Sequence, residues 1–445
     1  RHEGNFGAHG VGRPRLSVTD DPTGSLRLQG IPKDIRLIAA RTPKDRTSQQ
    51  TAQLKAYFLM HHNPNRMIKE RIATLEKQQR ATFPETMIMQ DMARPRATHV
   101  LLRGQYNEPG EKVSAGVPAI FPAIRKNHNT RLGFAQWLMD PAHPLTARVA
   151  VNRYWQQLFG IGLVKTAEDF GIQGELPSHP ALLDWLALEF IRSNWDTKHM
   201  YRLILNSATY RQTANVGKSA YRNDPENRLL TRGPRMRLDA EEIRDAFLAS
   251  SGLLVRQLGG KSVYPYQPKG LWMELNNRPG YSKAYPQGKG DDLYRRSIYT
   301  FWKRTVPSPM LKPFDAPERE FCTTRRSKTN TPLQALALLN GAQFVEAARH
   351  LAQRMLLEGG KTLNERIIYG FRLVNARVPS QPELALLRDA YTENLQHYQS
   401  NGQAALQLLQ VGDSPFNNAL NQAKLAAMTS VARLLFNLNE SITKG

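Results

Sequence analysis

The chain has 445 residues, and 61 Lys and Arg stand against 38 Asp and Glu for a formal charge of +23. With 40% hydrophobic residues and a mean hydropathy of −0.51 it is long enough for two or three domains with real cores, while no run approaches the roughly 20 apolar residues that a membrane-spanning helix needs. Cys322 is the single cysteine, which excludes an internal disulfide framework and a thiolate metal cluster, and the charge predicts a partner of opposite sign: nucleic acid, a sulfated or uronic polysaccharide, or an anionic envelope surface.

Residues 1–40 are rich in Gly, Pro and Arg without a sustained period and read as the flexible edge of a neighbouring module. The start at Arg1, with no initiator Met or apolar leader, points to a fragment or a processed piece. Thr42-Pro43 reads as a helix start, and apolar spacing predicts helices over Gln49–His61 and Met67–Ala81, a hairpin broken at Asn63-Pro64. Thr98-His-Val-Leu-Leu-Arg reads as a strand, Asn107-Glu-Pro-Gly as a turn and Lys112–Ile120 as an extended return, the only β structure expected. From Arg131 the pattern is helical again: Gly133–Met139, Leu145–Phe159, Pro180–Ser193, Lys198–Ser207, Ala240–Ser251 and Pro332–Leu357, with helical patterns to the end. The fold class expected is mainly α, a multi-helix domain with a small β element near residues 86–122. The segments expected are 1–85, 86–130 and 131–445.

The familiar signatures are missing: no Gly-x-Gly-x-x-Gly, Walker loop, His-Glu-x-x-His or haem-attaching Cys-x-x-Cys-His occurs. Gly160-Ile-Gly162 follows a predicted helix and reads as its C-terminal turn. No metal site is expected.

Between Tyr294 and Asn340 basic residues interleave with aromatics and turn prolines, as a surface for polyanions would. The expected contact set is Arg295, Arg296, Lys303, Arg304, Arg319, Arg325, Arg326 and Lys328, with Tyr299 and Trp302 as stacking or packing groups. Thr329-Asn-Thr-Pro adds a helix N-terminus whose free N–H groups suit anions; the plainer reading is that these arginines tie helices together through carboxylates. Arg148, Asn152 and Trp155 fall on one helical face, where they could hold a ligand, or could be core and an arginine reaching Asp169 or Asp184. His179 and Asp184 could pair as base and orienter, and Asp239 and Glu241 could serve as acid and base at a glycosidic bond, although Asp239 and Glu242 also fit a capping box.

Eight strings, among them His143-Pro-Leu-Thr-Ala-Arg-Val-Ala-Val-Asn-Arg-Tyr-Trp, Asp169-Phe-Gly, Ser207-Ala-Thr-Tyr-Arg-Gln, Arg237-Leu-Asp-Ala-Glu, Phe314-Asp-Ala-Pro and Thr329-Asn-Thr-Pro-Leu-Gln, stand in an order that resembles the planctomycete-specific C-terminal domain of secreted, cytochrome-type planctomycete proteins. The resemblance runs from about Thr86 to the end. It implies export to a periplasm or cell envelope of Gram-negative type, a cytochrome c-like segment and a second planctomycete module upstream, of which residues 1–85 would be the tail, and genomic neighbours of the sulfatase-like secreted kind. Any haem would belong to that upstream segment, so no cofactor is expected in this chain. The family has no established reaction. Relatives more often carry histidine where Gln157 stands and an acidic residue where Gly341 stands.

The expectation is an exported, non-catalytic binding or scaffold module for an acidic polysaccharide or envelope partner. A polysaccharide hydrolase or lyase using His179, Asp184, Asp239 or Glu241 is the enzymatic alternative. Nucleic-acid binding fits the charge, but no helix-turn-helix or zinc-finger spacing supports it.

Overall fold

A computed structural model describes residues 31–61, 66–83, 86–124, 129–275 and 284–445. The chain divides into two compact units, residues 1–89 and 90–445.

In the first unit, α1 (Lys33–Ala39) packs on α2 (Ser48–His61) through the buried Ile35 and Ile38. Helix α1 lies where the composition suggested irregular chain, and Arg46 explains its stability by closing its open end: Nε donates to Ile38 O at 3.1 Å and Nη2 to Ala39 O at 3.0 Å. Thr42-Pro43 opens only a short 3-10 turn, Pro43–Asp45, ahead of α2. Next comes α3 (Arg66–Thr82); the expected break at Asn63-Pro64 lies outside the described residues.

The second unit begins with β1 (Thr98–Leu101) and β2 (Pro109–Val113), an antiparallel pair with Thr98 opposite Val113. Helix α4 (Arg131–Leu138) is capped by Thr130, whose Oγ1 accepts from Gly133 N at 3.1 Å. Two helical cores follow. The first joins α5 (Thr146–Phe159), α6 (Pro180–Arg192) and α7 (Thr197–Leu205) around Val151, Trp155, Leu186, Phe190 and Met200. His143 caps α5, its Nδ1 accepting from Thr146 N at 3.2 Å, and Gly160 ends the helix at φ 85°, the left-handed region that a glycine turn permits.

One side chain locks this core. Asn152 is fully buried, its Nδ2 donating to Val164 O at 3.0 Å and its Oδ1 accepting from Val164 N at 2.9 Å. Replacing it with Ala strands a buried N–H and C=O, so Asn152→Ala is expected to cost about 2–4 kcal/mol, read as a lower denaturant midpoint at unchanged m-value.

After α8 (Lys218–Asn223), the second core gathers α9 (Ala240–Ser251) and, beyond the short α10 (Leu271–Leu275), which does not join it, α11 (Pro332–Asn340), α12 (Ala342–Glu358), α13 (Leu363–Asn375), α14 (Gln381–Ser400), α15 (Gly402–Leu409) and α16 (Gln422–Phe436). Helices α12 and α16 are its axis. Every residue of α16 from Leu425 to Ala432 is buried, and Phe436 stacks on Phe247 of α9 with centroids 4.1 Å apart. The helix expected over Pro332–Leu357 is broken at Gly341, whose ψ of 126° is extended; a Cβ there would run into Met310 and stand 2.7 Å from Ala337 O. Beyond the expected hairpin, a second antiparallel pair joins β3 (Met236–Arg237) to β4 (Thr443–Lys444), tying the chain end to the approach to α9.

A buried polar knot pins the 411–414 loop to α12. The fully buried Glu346 carboxylate accepts from Tyr294 Oη at 2.8 Å, Tyr266 Oη at 2.9 Å, and Ser414 N and Oγ at 2.8 and 2.7 Å. His350 Nε2 lies 2.7 Å from that same Oγ, so a neutral ring donates to the hydroxyl while the hydroxyl donates to Glu346. Burial, reinforced by Arg349, pushes His350 down to about 4. Below about pH 6.5 the unfolded ring takes up a proton that the folded one refuses, so stability falls between about pH 6.5 and 4 and levels off below, by up to about 3 kcal/mol. Denaturation at pH 7.5 and 5.0 is expected to show a smaller pH difference in His350→Asn than in the parent.

Candidate functional site

Both cores contribute to one cleft of about 500 Å³. From the first core comes the α5 face of Arg153, Gln156 and Gln157, at the i, i+3 and i+4 spacing that brings side chains together on a helix. The second core supplies the start of α9, where Asp239 N donates to Glu242 Oε2 at 2.9 Å and Glu241 follows in the first turn, acids placed where the helix dipole favours them. Residues 323–328 form the third wall.

That wall is tied on both sides. Arg326 grips Glu241 through two bonds, Nη1 to Oε2 at 2.5 Å and Nη2 to Oε1 at 3.2 Å, and Lys328 pairs with Asp239. Burial works against the Arg326 charge, but the Glu241 carboxylate more than offsets it and raises the guanidinium pKa. Towards α5, Gln156 Nε2 donates to Thr324 O at 3.3 Å. Two cationic side chains of the cleft stand apart: among the described residues, Arg153 and Arg325 form no hydrogen bond or ion pair, and both are exposed. Gln156 Oε1 is shielded from solvent and accepts no hydrogen bond.

Behind this wall, segments far apart in sequence interlock. Asp315, held at φ 62°, accepts from Thr329 N at 2.7 Å. Gln334 Nε2 donates to Pro313 O at 2.9 Å while its Oε1 accepts from Arg237 Nη2 at 2.6 Å; the same arginine nitrogen donates to Asn330 Oδ1 at 3.0 Å. The strings Arg237-Leu-Asp-Ala-Glu, Phe314-Asp-Ala-Pro and Thr329-Asn-Thr-Pro-Leu-Gln are thus a single structural joint that presents the cleft.

The family model for PSD1, described as a protein of unknown function (DUF1553), matches residues 130–391. The chain belongs to the PSD1 family. Every lining residue of the cleft, from Arg153 to Lys328, falls within the match. No curated protein matches the chain, and no solved structure does.

The PSD1 fold divides the residues singled out by sequence. Arg325, Arg326, Lys328, Asp239 and Glu241 meet at the cleft and its wall. Arg295 does not reach the surface: it is buried, donates to the carbonyls of Lys261, Gln257 and Gly259, and lies 4.0 Å over the Tyr299 ring, while Tyr299 Oη accepts from Gly259 N. Those two residues peg a loop in place. Lys303 is half-buried over Trp272 at 4.2 Å, and Arg319 lies 4.6 Å over Trp302, whose Nε1 donates to Glu318 O at 3.3 Å; Arg296 and Arg304 are exposed. On the far side of the 319–328 segment, Arg319 and Arg325 border a second groove of about 440 Å³.

The two candidate catalytic pairs fare differently. His179 Nδ1 faces Ser178 Oγ at 3.0 Å, whereas Asp184 accepts from Arg148 Nε at 2.7 Å, so no His179–Asp184 pair forms. Asp239 lines the cleft as the partner of Lys328, and Glu241 is not part of the lining but holds Arg326 of its wall. The Arg148, Asn152, Trp155 face also separates: Arg148 serves Asp184, Asn152 is the clamp on Val164, and Trp155 is core, stacked on Phe159 at 4.1 Å. Among the described residues, no three His, Cys, Asp or Glu side chains gather into a metal-holding group, and no helix is long and apolar enough to cross a membrane. Arg153 and Gln156, which the sequence reading did not select, could have been found from their shared face with Gln157.

Proposed function

We propose that this PSD1 chain is a non-catalytic binding module for an acidic polysaccharide, sulfated or uronic, and that the cleft between α5 and α9 takes one acidic sugar unit of it. The carrying observation is the pairing of two exposed guanidinium groups without a hydrogen bond or ion pair among the described residues, Arg153 and Arg325, the latter attracted to Glu226 only at longer range, with a shielded acceptor lacking a donor, Gln156 Oε1. A ligand suited to both offers an anion and a hydroxyl donor together, as a sulfated or uronic sugar does and a bare phosphodiester backbone does not. The carboxylates of Asp239 and Glu242 add acceptors for further hydroxyls. Exposed Arg296, Arg304 and Arg319, with the +23 charge, extend the attraction along a polymer.

The proposal includes a setting, supported by the resemblance of the motif strings: export to a planctomycete-type envelope, beside a cytochrome c-like module and sulfatase-like secreted proteins. The test is a glycan array with a parallel product assay. Fucoidan, heparin and polygalacturonate are expected to bind, with linear polyphosphate and duplex DNA weaker at equal charge and physiological salt, and with no new reducing ends or unsaturated products. Turnover would transfer the assignment to a hydrolase or lyase; DNA competing as well as fucoidan would overturn the sugar reading.

A further inference from the structure

A second concave site lies on the first core, away from the residues of the cleft. Helices α6 and α7 and the turn after them enclose a groove of about 510 Å³ floored by Trp155, Leu182, Leu186, Leu203 and Ile204. Trp185 forms one side and is 46% exposed, a large aromatic surface left in water beside an apolar floor. Most polar groups at the rim are already engaged. His199 Nε2 meets Glu189 Oε1 at 2.8 Å, Asn206 Nδ2 donates to Arg202 O at 2.8 Å, and Ser207 Oγ donates to Ile204 O at 2.7 Å. Arg202 is the exception: it is exposed, lines the groove, and among the described residues its guanidinium forms no hydrogen bond or ion pair.

A groove of this size with an apolar floor, an aromatic wall and a fork of donors that forms no hydrogen bond or ion pair among the described residues, and is attracted only at longer range to Asp196, has the features of a small-molecule site. The guanidinium decides the ligand class, because its planar fork matches a carboxylate bidentately, while the floor offers a charged polymer little. We infer that this groove binds small amphipathic carboxylates, with the apolar or aromatic body against Trp185, Leu182 and Leu203 and the carboxylate on Arg202.

The probes are 2-naphthoate and its neutral counterpart 2-naphthamide, titrated into the full chain by calorimetry and by quenching of tryptophan fluorescence. The acid is expected to bind saturably, with the amide about tenfold weaker or more, since a charge-assisted hydrogen bond is worth about 1.5–3 kcal/mol. Arg202→Gln is expected to weaken the acid to the level of the amide and leave the amide unchanged. Its thermal midpoint should move little, because the guanidinium forms no hydrogen bond or ion pair among the described residues and acts only at longer range on the exposed Asp196 that caps α7. Leu203→Glu, which places a charge in the groove, should abolish binding of both probes. Equal affinity for acid and amide, an acid affinity unaffected by Arg202→Gln, or no saturation at millimolar probe would each overturn the inference. Fucoidan binding is expected to survive Arg202→Gln, so the groove and the cleft are tested separately.

Discussion

Replacing Arg244 with Met is expected to lower the unfolding free energy by about 3–5 kcal/mol, the cost of removing one member of a buried charged network. Arg244 is 2% exposed, and every arm of its guanidinium is used. Nε donates to Gln343 Oε1 at 2.7 Å, Nη1 to Arg295 O at 2.9 Å and Ser297 Oγ at 3.0 Å, and Nη2 to Leu293 O at 2.8 Å. Burial pushes this guanidinium down to about 10, with Asp245 acting against the fall from 3.5 Å, so it stays charged at neutral pH and its desolvation is offset by these bonds and that carboxylate. Methionine fills the volume but leaves the Arg295 carbonyl and Gln343 Oε1 without their donor, while the Leu293 carbonyl keeps only Gln343 Nε2, at 2.9 Å. Lysine keeps the charge but cannot fork, so Arg244→Lys should recover less than half of the loss. Urea denaturation of the three proteins measures it. A loss below about 1 kcal/mol for the Met variant would mean that the network is neutral in sum.

Arg244 also shows what a single sequence conceals. Its place in an alternating run, Arg235-Met-Arg237-Leu-Asp239-Ala-Glu241-Glu242-Ile-Arg244-Asp245, reads as a charged helix start, and nothing local says that Arg244 is buried while Glu241 pairs with Arg326. The same limit moved Arg295 from the expected basic surface into the interior. Burial of an arginine depends on carbonyls supplied from elsewhere in the chain, here Gln257, Gly259 and Lys261, and no periodicity announces them. What could be read was whatever rests on local chemistry. The helix limits at Pro180, Ala240 and Phe159 follow from proline, a capping acid and glycine, and the strand at Thr98 from its β-branched and apolar run. Break points set by tertiary crowding escaped, as at Gly341 against Met310, and so did a two-residue pairing such as β3 with β4. The gathering of Asp239, Glu241, Arg326 and Lys328 was within reach only as two unconnected sets, one catalytic and one polyanion-binding. The fold joins them, and in doing so gives each set a different meaning.

That joining determines which variants test the cleft. Arg326→Glu would place a carboxylate beside Glu241 and Asp239 and remove the clasp on residues 323–328, so any loss of glycan affinity would be mixed with loss of the wall itself. It is expected to lower the thermal midpoint and to open the 323–328 segment to proteolysis, and both effects should be reversed by adding Glu241→Arg. Arg325→Glu and Arg153→Glu disturb no hydrogen bond or ion pair among the described residues, and what is lost is the longer-range attraction of Arg325 for the exposed Glu226, so their thermal midpoints should stay close to the parent's. Fucoidan affinity, however, should fall about tenfold for each and further when they are combined, the scale of one charge-assisted hydrogen bond to the polymer at each position. The fall should shrink as salt is raised, since exposed charges are screened beyond a Debye length of about 8 Å at physiological ionic strength. If the double variant keeps the parent's fucoidan affinity at unchanged stability, the polymer does not enter this cleft. Attraction would then rest on the scattered cations Arg296, Arg304 and Arg319, whose stepwise replacement should reduce affinity by small, equal decrements without any one position dominating.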